Sequence, residues 1–351
     1  MRACWSRALL ASIAWGCNTG APAATEVSKS ERPSPPAAAA PAPAPVAATA
    51  AAPAPATAAA PAAAAVAESD FRFPAPARLI AIGDLHGDLA ATRAALRLGG
   101  AIDADDHWAG GALTVVQTGD EIDRADEDRD VLDLVERLIG EARAAGGRVL
   151  ALNGNHEIMN VQGDYRYVTP AAADSFAGVN PRSPLARGAA PAFAQRAAAF
   201  LPGGAYALKL AQRDVIAQVG DSVFVHGGVL PEHVSYGIAR INAETRAWMR
   251  DGPASAPAIV ASERGPDWIR DFSVDPVSEA SCALLGRTLD ALGARRMIVG
   301  HTPQKSGITS ACGERVYRID VGLSRFYGGT LQILQITPKG VEILKAPRQS
   351  P

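Results

Sequence analysis

From residue 78 onward the chain alternates between two patterns of apolar and polar positions. The first is a short run of Val, Ile and Leu: RLIAIGD (78–84), ALTVVQTGD (112–120), RVLALNGN (148–155), DSVFVHGG (221–228), RRMIVGHT (295–302), RVYRIDVG (315–322), TLQILQI (330–336) and GVEILKA (340–346). Runs of this length and composition predict strands. The second pattern has a 3.6-residue period. In DRDVLDLVERLIGEARAAG (128–146), Val131, Leu134, Val135, Leu138 and Ala142 fall on one face, and CALLGRTLDALG (282–293) repeats the pattern. Both predict amphipathic helices. Alternation of strand and helix implies crossover connections and a layered α/β architecture. The last three runs lack helical segments between them, which predicts a β-rich edge or a second sheet at the end of the chain. The stretch 160–214 is irregular and alanine-rich, and predicts a helical cap or insert.

The chemistry-bearing residues collect where the strands stop. Five runs end in Gly-Asp, Gly-Asp, Gly-Asn, His-Gly-Gly and Gly-His. Sites in α/β folds gather at the carboxyl ends of strands, so these groups are placed to converge. They supply Asp84, His86, Asp120, Asn155, His226 and His301. Two carboxylates, one amide and three imidazoles form the mixed oxygen and nitrogen shell that two divalent transition ions about 3.5–4 Å apart require, with one carboxylate bridging. A lone Gly-Asp or His is commonly a turn or a satisfied core group. Here, however, the chain has only six histidines, and His86, His156, His226 and His301 all stand in these motifs. His107 and His233 lie in turn-like surroundings and carry no role in this reading.

Composition separates the first part of the chain from the rest. Residues 33–66 are almost entirely Ala and Pro, a composition with nothing large to bury. This predicts a disordered, semi-extended tether over residues 18–69, of which the Ala/Pro stretch 33–66 has a reach on the order of 100 Å. The remainder, residues 70–347, is enough for one sizeable core. A formal net charge of −2 with mixed signs provides no general electrostatic attraction for nucleic acid. The opening MRACWSRALLASIAWGCNTG has two arginines, a short apolar stretch and then Gly16-Cys17. That is a secretory layout over residues 1–17. It fits a bacterial lipoprotein acylated at Cys17 and held at a membrane, or plain cleaved export to the cell envelope, with a chance match as the third reading. Cys282 and Cys312 remain in the globular part, and in an exported chain they read as a disulfide or as two buried thiols.

As an ordered set, GDLHG (83–87), GDEIDR (119–124), GNHE (154–157), HGG (226–228) and GHT (300–302) resemble the motif series of the calcineurin-like metallophosphoesterases. The Asp123-Arg124 pair resembles the phosphoprotein-phosphatase branch. The stretches RGPDWIRDFS (264–273) and IDVGLSRFYGG (319–329) resemble the Shewanella-like bacterial protein phosphatases. The resemblance implies a layered α/β/β/α sandwich and hydrolysis of phosphomonoesters by direct attack of a hydroxide bridging two metal ions (manganese, iron or zinc). It implies that Asp84, His86 and Asp120 bind one ion, and that Asp120, Asn155, His226 and His301 bind the other. His156, oriented by Asp123, would protonate the leaving group. Arg124 and Asn155 would hold the phosphate, with Arg270 as the second phosphate arginine and Arg264 as its substitute. The family usually has glycine where Ala125 stands, which predicts a displaced Arg124 if that turn needs a positive φ. The acidic neighbours in DEIDRADEDRD predict a rim unfavourable to acidic substrates. A phosphoprotein, including phosphotyrosine, is the implied substrate. An exported nucleotide or other small phosphoester is the second reading, opposed only by the lack of a recognisable base-stacking aromatic cluster. A non-catalytic envelope binding module is the third.

Overall fold

The computed structural model describes residues 71–179 and 184–346. The leader over 1–17, its Cys17, and the Ala/Pro stretch over 18–69 lie outside the described residues. Among the described residues there are eleven strands: β1 Arg72–Phe73, β2 Leu79–Ile82, β3 Thr114–Gln117, β4 Arg148–Ala151, β5 Ile216–Val219, β6 Ser222–Val225, β7 Arg296–Val299, β8 Thr309–Ala311, β9 Val316–Arg318, β10 Gln332–Thr337 and β11 Gly340–Lys345. They form two sheets, one in the order β11-β10-β2-β3-β4 and the other β1-β5-β6-β7-β9-β8. Each of the eight apolar runs contains a strand. The very short β1 and β8, and β5 in the irregular stretch before residue 221, carried no comparable signal.

Alternation along the strands explains the layers. In β2, Leu79 and Ala81 face the second sheet while Ile80 and Ile82 face helices; in β7, Ile298 faces the first sheet while Met297 and Val299 face helices. Both faces of β2 and of β7 are therefore buried, as a four-layer helix/sheet/sheet/helix arrangement requires. Helix α1 (Leu89–Leu98) and helix α2 (Asp128–Ala144) cover the first sheet. Of the residues predicted for α2, Val131, Leu134, Val135, Leu138 and Ala142 are all buried.

The stretch after the third motif is helical, as expected: α3 (Asn155–Gln162), α4 (Pro170–Asp174), α5 (Ala194–Phe200) and α6 (Ala205–Leu210). The end of the chain differs from the expectation of one closing β unit. β9 joins the second sheet parallel to β7, while the β10–β11 hairpin joins the first sheet beside β2. β8 makes this possible, because it runs antiparallel to β9 and supplies the return leg that a crossover helix would otherwise provide. Cys282, in helix α7 (the segment Glu279–Leu292), is disulfide-bonded to Cys312, with Cα atoms 5.3 Å apart.

Candidate active site

The first sheet delivers Asp84, His86, Asp120 and Asn155 from the turns after β2, β3 and β4; the second delivers His226 and His301 from those after β6 and β7. The turns bend sharply enough to place several of the functional residues themselves in the left-handed region. His86, Asp120, Asp123, Arg124 and His301 have φ values of 48, 60, 71, 74 and 68°. For a non-glycine residue this conformation costs about 1–2 kcal/mol, so its concentration here marks a site the surrounding structure has to enforce. Glycine is needed where two such turns touch: a Cβ on Gly119 would lie 2.5 Å from the Gly154 nitrogen. The turns are also held from below. Glu157 accepts hydrogen bonds from the amides of Asp120 (2.8 Å), Glu121 (2.9 Å) and Gly154 (2.7 Å).

The donor atoms converge on Asp120. Its Oδ2 lies 3.1 Å from His226 Nε2 and 3.8 Å from His86 Nε2. Around His226 Nε2 also stand Asn155 Oδ1 at 2.9 Å and His301 Nδ1 at 3.0 Å. His86 Nε2 is 3.8 Å from Asp84 Oδ2. Two donors at right angles, each about 2.1 Å from one ion, are about 3.0 Å apart, so the second group has the spacing of a coordination shell. Each imidazole has its other nitrogen directed at a backbone carbonyl: His86 Nδ1 at Ile122 O (3.2 Å), His226 Nδ1 at Thr118 O (3.0 Å) and His301 Nε2 at Trp268 O (3.1 Å). A ring that donates a proton there presents its remaining lone pair to the centre. Burial, reinforced by neighbouring imidazoles, holds His86 neutral down to about 3 and His301 down to about 2.

His156 behaves oppositely. Its Nε2 is 3.8 Å from Asp120 Oδ2, close enough for a ligand, and His86, Asp120 and His156 form a compact donor group. Its Nδ1, however, lies 2.7 Å from Asp123 Oδ2. Burial alone would depress this imidazole, but Asp120 and Asp123 outweigh it and push the group up to about 9. A metal ligand must be the neutral ring, so the environment suits His156 to carry a proton and His86 and His301 to bind.

Arg124 stands beside this centre. Its guanidinium lies 3.8 Å from the Tyr167 ring centre and 5.3 Å from that of Phe326, and its Nε has no hydrogen-bond partner among the described residues. Tyr167 also packs against His156, and Tyr327 against His86. An aromatic lip therefore does flank the site, contrary to the expectation from sequence, where Tyr167 lies far from Phe326 and Tyr327. The expected displacement at Ala125 does not occur either: the positive φ angles fall on Asp123 and Arg124, and Ala125 is buried with its amide bonded to His86 O. The acidic stretch is largely neutralised. Arg325 pairs with Glu127 at 2.7 Å and Asp126 at 3.4 Å, while Asp128 is buried against Arg196. Arg270 bonds His301 O at 2.9 Å and Thr302 Oγ1 at 3.0 Å, which keeps it at the rim. Arg264 instead pairs with exposed Glu232, away from these groups.

The interior around the site carries a large excess of carboxyl groups. Asp84, Asp120, Glu121, Asp123, Asp128, Glu157, Asp267 and Asp320 are all buried. Arg196 and Arg213 are the buried guanidiniums paired with members of this set. Neither oxygen of Asp267 has a hydrogen-bond partner among the described residues. Burial, then Asp320 and Asp120, pushes the Asp84 carboxyl well above the usual carboxylate range. Such a concentration of buried acids is costly unless cations compensate it, so the residues fit divalent metal.

Residues 77–305 match the family model described as calcineurin-like phosphoesterase. The chain belongs to this family. The phosphoesterase is 41% identical over 304 residues to Shewanella-like protein phosphatase 2 of Arabidopsis thaliana, covering 77% of this chain and 78% of that one. It is 30% identical over 257 residues to Shewanella-like protein phosphatase 1 of Plasmodium berghei, covering 71% and 68%. Its fold resembles that of a cold-active protein-tyrosine phosphatase of a psychrophilic Shewanella species, with a TM-score of 0.64, 24% identity and coverage of 79% of this chain and 83% of that one. It is a metal-dependent phosphoesterase with an α/β sandwich fold.

Several residues of this phosphoesterase that shape the site were not singled out from sequence. Glu157 stands in the GNHE motif, and Asp320 in IDVGLS; both had a local signal in their neighbours. Asp320 lies against Asp84, and burial pushes its carboxyl up to about 6. Arg196 had none: it is an arginine in an alanine-rich stretch, distinguished only by being fully buried.

Proposed function

We propose that this phosphoesterase is a binuclear phosphomonoesterase of phosphoproteins that favours aryl over alkyl phosphates. The observation that carries the reading is Asp120 Oδ2, flanked by His86 Nε2 from one sheet and His226 Nε2 from the other, with Arg124 bracketed by aromatic rings alongside. Asp84, His86 and Asp120 would hold one ion; Asp120, Asn155, His226 and His301 the other. Manganese, iron and zinc all accept such a shell. When bound, the ions supply positive charge to the phosphoryl oxygens and acidify water.

The chain's own residues supply the rest. Arg124 presents its guanidinium to the phosphate oxygens, and stacking on Tyr167 limits its rotamers. Arg270 at the rim and the Asn155 amide, which lies beside His226, add donors. His156 carries a proton on Nε2 and passes it to the leaving oxygen as the P–O bond breaks, while Asp123 stabilises the imidazolium. The aromatic lip of Tyr167, Phe326 and Tyr327 would stack against the ring of a phosphotyrosine. The same lip could stack a nucleobase, which favours a nucleotide phosphatase as the second reading. The leader layout supports an envelope enzyme, anchored through Cys17 or freed by cleavage.

Initial rates test this. The protein is stripped of metal and reloaded with manganese. It is then assayed on matched phosphotyrosine and phosphoserine peptides and on a nucleoside monophosphate. Peptide turnover that is abolished in Asp84→Asn and strongly reduced in His156→Asn, with tyrosine above serine, supports the proposal. Nucleotide turnover without peptide turnover replaces it with the second reading.

A further inference from the structure

Among the described residues, Arg196 is the one arginine of the helical insert that reaches Asp123, and it does so from complete burial. Its relative exposure is 0%. Its Nη2 lies 2.8 Å from Asp123 Oδ1 and 2.8 Å from Asp128 Oδ2. Its Nε donates to Asn160 Oδ1 at 2.6 Å and its Nη1 to Ala172 O at 3.2 Å. The rings of Phe176 and Phe200 lie 5.3 and 4.9 Å from the guanidinium carbon.

The contacts to Asp123, Asp128 and Asn160 bear on one carboxylate. Asp123 uses Oδ2 for His156 Nδ1 and Oδ1 for Arg196, while Asn160 Nδ2 bonds both oxygens at 3.1 Å. The Asp123 amide donates to Asp128 Oδ1 at 2.9 Å, so the other acid held by Arg196 also fixes the Asp123 backbone. That backbone is in the left-handed region, with φ of 71°, and needs restraint. A carboxylate held on both oxygens cannot rotate about its Cβ–Cγ bond, and the imidazole it orients keeps its Nε2 aimed in one direction.

We propose that Arg196 is a positioning residue for the leaving-group acid: the insert holds Asp123, through Arg196, in the orientation that aims His156 Nε2 at the departing oxygen. This rests on the assignment of His156 as that acid. Asp123, His156 and Asn160, and Arg196 come from three separate segments, the turn after β3, helix α3 and helix α5. The insert therefore completes the catalytic apparatus as well as covering it.

The test uses the whole protein loaded with manganese, with Arg196→Met and Arg196→Lys. An alkyl phosphate such as a phosphoserine peptide needs protonation of its leaving oxygen; 4-nitrophenyl phosphate needs little. Arg196→Met is expected to lower kcat on the peptide by about 10-fold or more, with KM nearly unchanged, and to lower it by only about 2-fold on 4-nitrophenyl phosphate. In an Asp123→Asn background the same change should add almost nothing. Arg196→Lys should be intermediate, because one ammonium cannot reach Asp123, Asp128 and Asn160 together. It also carries the test if Arg196→Met does not fold.

A second readout needs no turnover. In the zinc-loaded protein the His156 Nδ1 proton, assigned by its loss in His156→Asn, should give a downfield resonance that shifts or vanishes in the Arg196 variants. Equal losses on both substrates that remain additive with Asp123→Asn would make Arg196 merely structural and overturn the proposal, as would an unchanged resonance. If the unmutated protein turns over neither substrate, the phosphomonoesterase reading fails, and the resonance still decides whether Arg196 holds the pair.

Discussion

His86 and His226 come from different sheets, yet their Nε2 atoms face the same carboxylate oxygen, Asp120 Oδ2, at 3.8 and 3.1 Å. A carboxylate shared in this way ties the carboxyl ends of both sheets to a common centre of charge. Chelation should therefore lower stability as well as activity. Removing the ions is expected to reduce Tm by about 5–10 °C, restored on adding manganese. Asp120→Asn should hold fewer ions per chain by elemental analysis. A Tm indifferent to chelation would argue against ions bridging the sheets.

The imidazolium at His156 predicts a pH dependence. With the group pushed up to about 9, its proton is present below that value and lost as pH rises through it. On an alkyl phosphate, kcat should fall as pH rises through the point at which His156 loses this proton, which bound ions at Asp120 lower from its metal-free position. His156→Asn should lack this limb and be slower by about 10²-fold or more at pH 7. A pH–rate profile of kcat on a phosphoserine peptide checks both.

Gly300 closes the approach of the second sheet to the first. A Cβ there would lie 2.4 Å from Asp84 Oδ1 and 3.0 Å from Thr118 Oγ1. Gly300→Ala should displace Asp84 or the β7 turn, weakening metal affinity by about 10-fold or more. Titration calorimetry of the metal-free protein with manganese would read it, and unchanged affinity would show that the turn can yield.

The lip and its arginine should separate kinetically. Arg124→Ala is expected to lower kcat/KM by about 10²–10³-fold on every phosphomonoester, because it removes a donor to the transferring group. Phe326 is 54% exposed, and Phe326→Ala should raise KM about 5-fold for aryl phosphates and leave alkyl phosphates nearly unaffected. Parallel kinetics on tyrosine and serine phosphopeptides measure both. Equal effects of Phe326→Ala on the two would remove the lip from selectivity.

Much of this protein was decided locally. Strand-length apolar runs alternate with helical periodicity, and burial on both faces follows from those patterns. The residues that converge on the site were legible because each closes a strand within a contiguous motif such as GDLHG or GNHE. Carboxyl ends of neighbouring strands meet once the sheets form, so the Asp84, His86, Asp120, Asn155, His226 and His301 set needed little beyond strand order.

Tertiary structure decided what depends on contacts between distant segments. The parallel pairing of β9 with β7 follows from β8 acting as a return leg, a pairing with no signature in three residues. Arg124 meets Tyr167 and Phe326, and Asp123 meets Arg196; Tyr167 and Arg196 carry no local motif, so these contacts between distant segments had no signature. Which histidine holds a proton was also decided in three dimensions. All four site histidines sit in similar Gly-rich strings, but three direct one nitrogen at a backbone carbonyl, while His156 directs its Nδ1 at a buried carboxylate. Sequence sets the donor types at the strand ends. The low-dielectric interior then sets their protonation, because desolvation and charge pairing depend on what packs alongside.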